Sequence, residues 1–123
     1  INKFCLQACM NQPLTVWKTA YNQKRPYLGI HDFNRAIEHI ILKNVFHNSI
    51  YNVLSHNKKV KEIIDIINQK TATKIKFINN PIMNQLSYEI SNKKFCSTNF
   101  RFKSNLKKDI FEIINKLRNI KSI

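Results

Sequence analysis

One glycine, Gly29, stands in a chain of 123 residues. Phosphate-cradling loops need several glycines, because their backbone must turn tightly and approach the anion closely. The chain therefore holds neither a dinucleotide-binding Gly-x-Gly-x-x-Gly fingerprint nor a P-loop. What remains must be built from ordinary helices and strands, and 43% hydrophobic residues supply enough apolar surface for one domain. A chain of this size buries roughly 65% of the surface exposed when unfolded, so no metal or disulfide staple is required. The expectation is a single domain over residues 1–123.

The formal net charge is +14. Phosphate polyanions are the obvious partner for such a chain, through counterion release. The makeup of the charge argues otherwise. There are 17 Lys but 4 Arg, beside 19 Ile and 17 Asn. These abundant types share A/T-rich codons, and Arg, the residue of bidentate phosphate and guanine contacts, is scarce. A small basic nucleic-acid-binding domain is thus the alternative reading, not the first. The three cysteines at 5, 9 and 96 form no disulfide framework and offer too few ligands for zinc. They read as small core residues of a cytoplasmic protein. No apolar run is long enough to span a membrane, and no signal peptide opens the chain. Residue 1 is Ile, from which a piece of a longer protein is expected.

Apolar spacing sets the organisation. Phe4, Ala8 and Cys9 predict an opening helix ending before Pro13, and Leu14–Trp17 a strand. Residues 18–25 read as a basic loop and Pro26–Ile30 as a second strand, with Asp32 capping the next helix. Phe33, Ala36, Ile37, Ile40 and Ile41 mark one apolar face of that helix. Ser49–Leu54 reads as a strand, Val60–Ile67 as an amphipathic helix and Lys74–Ile78 as a half-exposed strand. After a turn-rich loop at 79–85, Leu86–Ile90 reads as extended and Asn92–Cys96 as a helical turn. Leu106, Ile110, Ile113, Ile114 and Leu117 mark a closing helix capped by Ser104 or Asn105. Short strands alternating with about four helices make the class α/β.

No catalytic constellation is visible. The four histidines are scattered over residues 31–56, and of the seven carboxylates Glu38, Glu62, Asp65, Asp109 and Glu112 sit beside lysines on exposed helix faces, with no pair spaced for acid/base work. The informative stretch runs from Trp17 to Asp32. Arg25 stands at the mouth of a strand with Tyr27 two residues on, so both side chains project to one side. A guanidinium there can hold a diphosphate by charge-assisted bonds, with the tyrosine adding a hydroxyl.

Four landmarks in order resemble the extended short-chain dehydrogenase/reductases, the NAD-dependent sugar-nucleotide epimerases and dehydratases. Pro13-Leu14-Thr15-Val16-Trp17 is similar to the family's "pltvwG" strand. Arg25-Pro26-Tyr27, His31-Asp32 and Arg35-Ala36-Ile37 resemble its "R-D/S-Y/F-x-x-V-x-D" and "xxRAI" segments. Ile50-Tyr51-Asn52-Val53-Leu54 and Val60-Lys61-Glu62-Ile63-Ile64 resemble "xYNvG" and "vxEla". Tyr88-Glu89-Ile90-Ser91-Asn92-Lys93 and Phe100-Arg101-Phe102 resemble the last landmark, before a closing helix.

The resemblance implies the C-terminal substrate-binding part of an extended Rossmann-type dehydrogenase, with the nucleotide-binding half absent. Arg25 and Tyr27 would bind the diphosphate of a sugar nucleotide, and Val16 and Trp17 would pass near its base. Asp32 would organise the strand-to-helix turn. Leu54 replaces a family glycine and Glu89 a family Asp. The 79–85 loop lacks a second arginine, leaving Asn84 and Gln85 as its polar groups and admitting a different activated sugar. NAD(P) is expected in the full-length parent, which resembles homodimeric enzymes, and no cofactor on this chain alone. No Tyr here has Lys four residues on, so the resemblance implies a chain that does not turn over substrate by itself. An inactive remnant serving as an interaction module is the remaining alternative.

Overall fold

The computed structural model describes residues 1–46, 48–79 and 86–120. In chain order it holds α1 (Asn2–Cys9), β1 (Leu14–Trp17), β2 (Lys24–Tyr27), α2 (Ile30–Leu42), β3 (His56–Lys59), α3 (Val60–Thr71), β4 (Ile75–Ile78), α4 (Lys93–Cys96) and α5 (Leu106–Ile120). β1 pairs parallel with β4, Leu14 opposite Ile75. β2 pairs antiparallel with β3, Lys24 opposite Lys59 and Tyr27 opposite His56.

An aliphatic core joins α1, β1, α3 and α5 through Cys5, Ala8, Leu14, Val16, Ile63, Ile64, Ile67, Ile110 and Ile114. These are the inward positions that the 3.6 and 2.0 periodicities select. Burial pushes the Cys5 thiol up to about 11, which keeps it protonated and inert. A second, aromatic cluster gathers Ala36, Phe95 and Phe100, with Ile40, Tyr51, Val53 and Phe102 packed around it. Phe95 and Phe100 stand 4.9 Å apart, tilted, and Phe102 meets Phe100 edge-on at 4.9 Å.

Glycine scarcity is met by asparagine. Asn11, Asn44, Asn48 and Asn99 adopt positive φ, the left-handed region that Asn tolerates best after Gly, and Ala72 does so beyond α3. Asn105 caps α5, its Oδ1 accepting the Lys108 N–H at 3.1 Å.

Three expectations are corrected. The second strand is Lys24–Tyr27, not Pro26–Ile30, because β3 pairs with those residues and Ile30 already opens α2. Asp32 is not the cap: Gly29 holds that position, and Asp32 lies in the first turn with its carboxylate buried at 1% exposure. Ser49–Leu54, despite its β-forming residues, joins no ladder among the described residues. The strand forms instead over the polar His56–Lys59, where backbone pairing rather than apolar pattern decides.

Candidate functional site

The β2–β3 ladder sets cation against cation. Lys24 faces Lys59 and Arg25 faces Lys58. Like charges directly opposite one another on a ladder cost stability. Two carboxylates offset part of that cost: Lys24 Nζ meets Glu89 Oε1 at 2.5 Å, and Lys58 Nζ meets Glu62 Oε1 at 2.7 Å. Glu62 also accepts the Lys59 N–H at 2.8 Å, the reach-back bond of a helix N-terminus. Those two bonds hold its carboxyl below the usual range.

Arg25 lies along the 86–89 segment. Its Nη1 donates to the Lys24 and Leu86 carbonyls at 2.7 and 2.8 Å, and Nη2 to Gln23 Oε1 at 2.6 Å. The guanidinium stacks over the Tyr88 ring at 5.2 Å. Ser87 Oγ accepts the Lys24 N–H, fixing the same segment against β2. Asn57 continues the stitching, donating to the Ile90 carbonyl at 2.9 Å and accepting its N–H at 3.1 Å. Tyr27, two residues from Arg25, is half-buried against the aliphatic core. Burial raises its hydroxyl's pKa, Arg25 opposing, so it stays protonated and able to donate.

The remaining expected residues are distributed unevenly. Val16 faces the core at 1% exposure, while Trp17 beside it turns outward, as strand alternation dictates. Both lie in the other sheet. Asn84 and Gln85 lie outside the described residues.

Sequence reasoning singled out Asp32 as a cap and organiser of the strand-to-helix turn but missed its long-range bonds. Asp32 accepts the Lys103 N–H at 2.9 Å, the Ser104 N–H at 2.8 Å, the Ser55 hydroxyl at 3.0 Å and Arg35 Nη1 at 2.7 Å. Burial alone would raise its pKa, but these bonds outweigh it and hold the carboxyl below its ordinary value. Asp32 thereby ties the start of α2 to the 103–104 segment some seventy residues on. The signal available in the sequence was a carboxylate on the helix face that also carries Ala36.

Gly29 belongs to the same junction. A Cβ there would collide with Ser104 Oγ and meet Asp109 Oδ2 at 2.6 Å, so the glycine serves close approach at ordinary φ of −70°. That space is filled by protein, and no pyrophosphate cradle exists at this chain's one glycine. Among the described residues no cluster of three or more His, Cys, Asp or Glu could hold a metal ion. No helix there is long and apolar enough to cross a membrane.

No family model and no curated protein matches the sequence. Solved structures do match the fold. RMD from Pseudomonas aeruginosa, complexed with NADPH, superposes with a TM-score of 0.80 at 16% identity, over 97% of this chain and 42% of that one. UDP-glucuronic acid 4-epimerase from Bacillus cereus, with UDP-glucuronic acid and NAD, gives 0.76 at 12% identity, over 95% and 38%. UDP-glucose 4-epimerase from Thermus thermophilus, with NAD, gives 0.74 at 16%, over 94% and 39%. The chain thus spans about two fifths of the length of these structures. Its α/β fold is that of the C-terminal part of Rossmann-type epimerases.

Proposed function

We propose that the chain is the substrate-binding part of an NAD-dependent sugar epimerase or dehydratase, holding the phosphates of an activated sugar at Arg25. The observation that carries the reading is the cationic ladder. Arg25 faces Lys58 on one side of the ladder and Lys24 faces Lys59 on the other, and an anionic ligand at Arg25 relieves the repulsion on its own side. Tyr27 supplies a hydroxyl on the Arg25 side of the strand, and Tyr88 keeps the guanidinium plane fixed. Trp17 is the aromatic surface available to a base, with Val16 anchoring its strand. Asn84 and Gln85 complete the polar set in this reading. A solved neighbour carries UDP-glucuronic acid and NAD together, which supports the ligand class.

The chain has no role for NAD(P) in this reading; the cofactor, the chemistry, the parent's dimer contacts and its cytoplasmic setting belong to the longer enzyme. Titration of the 123-residue chain with UDP-glucose, followed by amide shifts, tests the site. Saturable shifts at β2 and residues 86–89, weakened about tenfold in Arg25→Ala, are expected. Shifts absent there, or double-stranded DNA binding with a steep salt dependence in their place, would overturn the assignment in favour of a basic nucleic-acid module.

A further inference from the structure

α2 has a third side, distinct from the buried face of Asp32 and Ala36 and from the exposed stripe of Ile30, Phe33, Ile37 and Ile41. Arg35, Glu38, His39 and Leu42 recur on it at i, i+3, i+4 and i+7 and line a cleft against residues 99–101. The cleft measures about 430 Å³, within the range of small-molecule sites, and the buried Phe100 gives it an apolar surface.

Part of the lining is held rigidly. Arg35 Nη1 donates to the buried Asp32 carboxylate at 2.7 Å and Nη2 to the Arg101 carbonyl at 2.9 Å. The same guanidinium lies 5.1 Å from the centre of the Phe100 ring. His39 Nε2 meets the Thr98 carbonyl at 3.0 Å and the Thr98 hydroxyl at 2.9 Å, and that hydroxyl gives its own proton to the Phe95 carbonyl. Nε2 therefore faces two acceptors and carries the hydrogen, which leaves Nδ1 as an acceptor. The other charges are uncommitted: among the described residues, the side chains of Glu38, Lys43 and Arg101 make no hydrogen bond or ion pair. Arg35, Lys43 and Arg101 against Glu38 leave the lining two positive charges in excess. Two of the chain's four arginines meet here, in a chain where lysine supplies the bulk of the charge. A guanidinium adds what lysine lacks, a planar fork matched to phosphate oxygens.

We infer that this cleft is a second ligand site, for a phosphomonoester that also carries hydroxyl groups, a sugar phosphate in kind. Arg101 and Lys43 take the phosphate, whose two charges match the excess on the lining. Glu38 accepts hydrogen bonds from the hydroxyls and repels a bare polyanion, while Phe100 and Leu42 meet the C–H face of the sugar. The site shares no residue with the β2–β3 ladder and stands whether or not the Arg25 reading holds.

Titration of the 123-residue chain with ribose 5-phosphate at constant ionic strength, followed by amide shifts, tests the site. Saturable shifts at residues 35–43 and 98–101 are expected, with the ester binding at least about fivefold tighter than inorganic phosphate. Arg101→Gln should weaken the ester about tenfold, and Arg101→Lys by less, since lysine restores the charge without the fork. Neither removes the Arg35 bond, which is to the backbone of residue 101. Glu38→Gln should erase the preference for the ester by strengthening inorganic phosphate, and Arg25→Ala should change none of these values. No saturable shift at 35–43 overturns the inference, as do shifts that Arg101→Gln leaves unchanged. Ester and inorganic phosphate binding equally to the wild type would overturn the sugar-phosphate class. Shifts spread over lysines on every face and lost in about 0.5 M salt overturn the site too, in favour of diffuse attraction to a chain of +14.

Discussion

α3 and α2 carry the same kind of amphipathic sequence and end in opposite situations. α3 buries Ile63, Ile64 and Ile67 completely against α1 and α5. α2 buries an aspartate and an alanine, and Ile30, Ile37 and Ile41 stand in solvent. Hydrophobic periodicity says that a face needs covering. It does not say that this chain covers it. The two helices therefore hold their places by different physics: α3 by burial of aliphatic area, and α2 by one ionised carboxylate bonded to two distant backbone amides, a serine and an arginine.

The largest effect should come from α3. Ile64→Ala removes a fully buried side chain from a core with no slack, and a loss of about 3 kcal/mol in unfolding free energy is expected from urea titration. A loss below about 1 kcal/mol would mean that the aliphatic cluster is not what holds the lone chain together, and the contrast with α2 would collapse.

Asp32→Ala comes next, at about 2 kcal/mol at neutral pH, since it strands the Lys103 and Ser104 amides and the Ser55 hydroxyl. Its dependence on pH sharpens the comparison. The folded-state pKa of Asp32 is lowered, so its contribution is fully present above the unfolded carboxyl value of about 3.9 and fades as pH falls through the folded value. The gap between wild type and Asp32→Ala should therefore narrow below roughly pH 4, while the gap for Ile64→Ala stays constant. An Asp32→Ala gap that ignores pH would mean packing, not charge, fastens α2.

Legibility in the sequence divided along the same line. β1, α1, α3, β4 and α5 were readable because local period and burial agree: Leu14 and Val16 alternate inward, and Ile110 and Ile114 lie one turn apart. β3 was not, because His-Asn-Lys-Lys has no apolar pattern and pairs only where β2 meets it. Residues 49–54 read as a strand from Ile50, Tyr51 and Val53, yet a strand is a property of two chains of hydrogen bonds and only one is here. Asp32 looked like a cap because composition cannot distinguish a carboxylate facing its own helix end from one facing a loop seventy residues away. At the candidate site, Arg25 and Tyr27 were visible as residues, whereas the cation pairs across the ladder and the Tyr88 stack needed the register.

The smallest effect should be the most informative. Ile37 is 45% exposed, so truncation to alanine gives up about half of an isoleucine's contact area in the lone chain. Against that loss stands the better helix propensity of alanine, roughly 0.4 kcal/mol over a β-branched residue in a helix interior. The gain offsets about a third of the loss, and Ile37→Ala should lower the unfolding free energy by no more than about 1 kcal/mol, roughly a third of the cost of Ile64→Ala one helix away. Equal costs at the two positions would mean that α2 already packs its stripe against something in solution. A small cost at Ile37 beside a large one at Ile64 separates a face whose burial stabilises this chain from a face that contributes little to it.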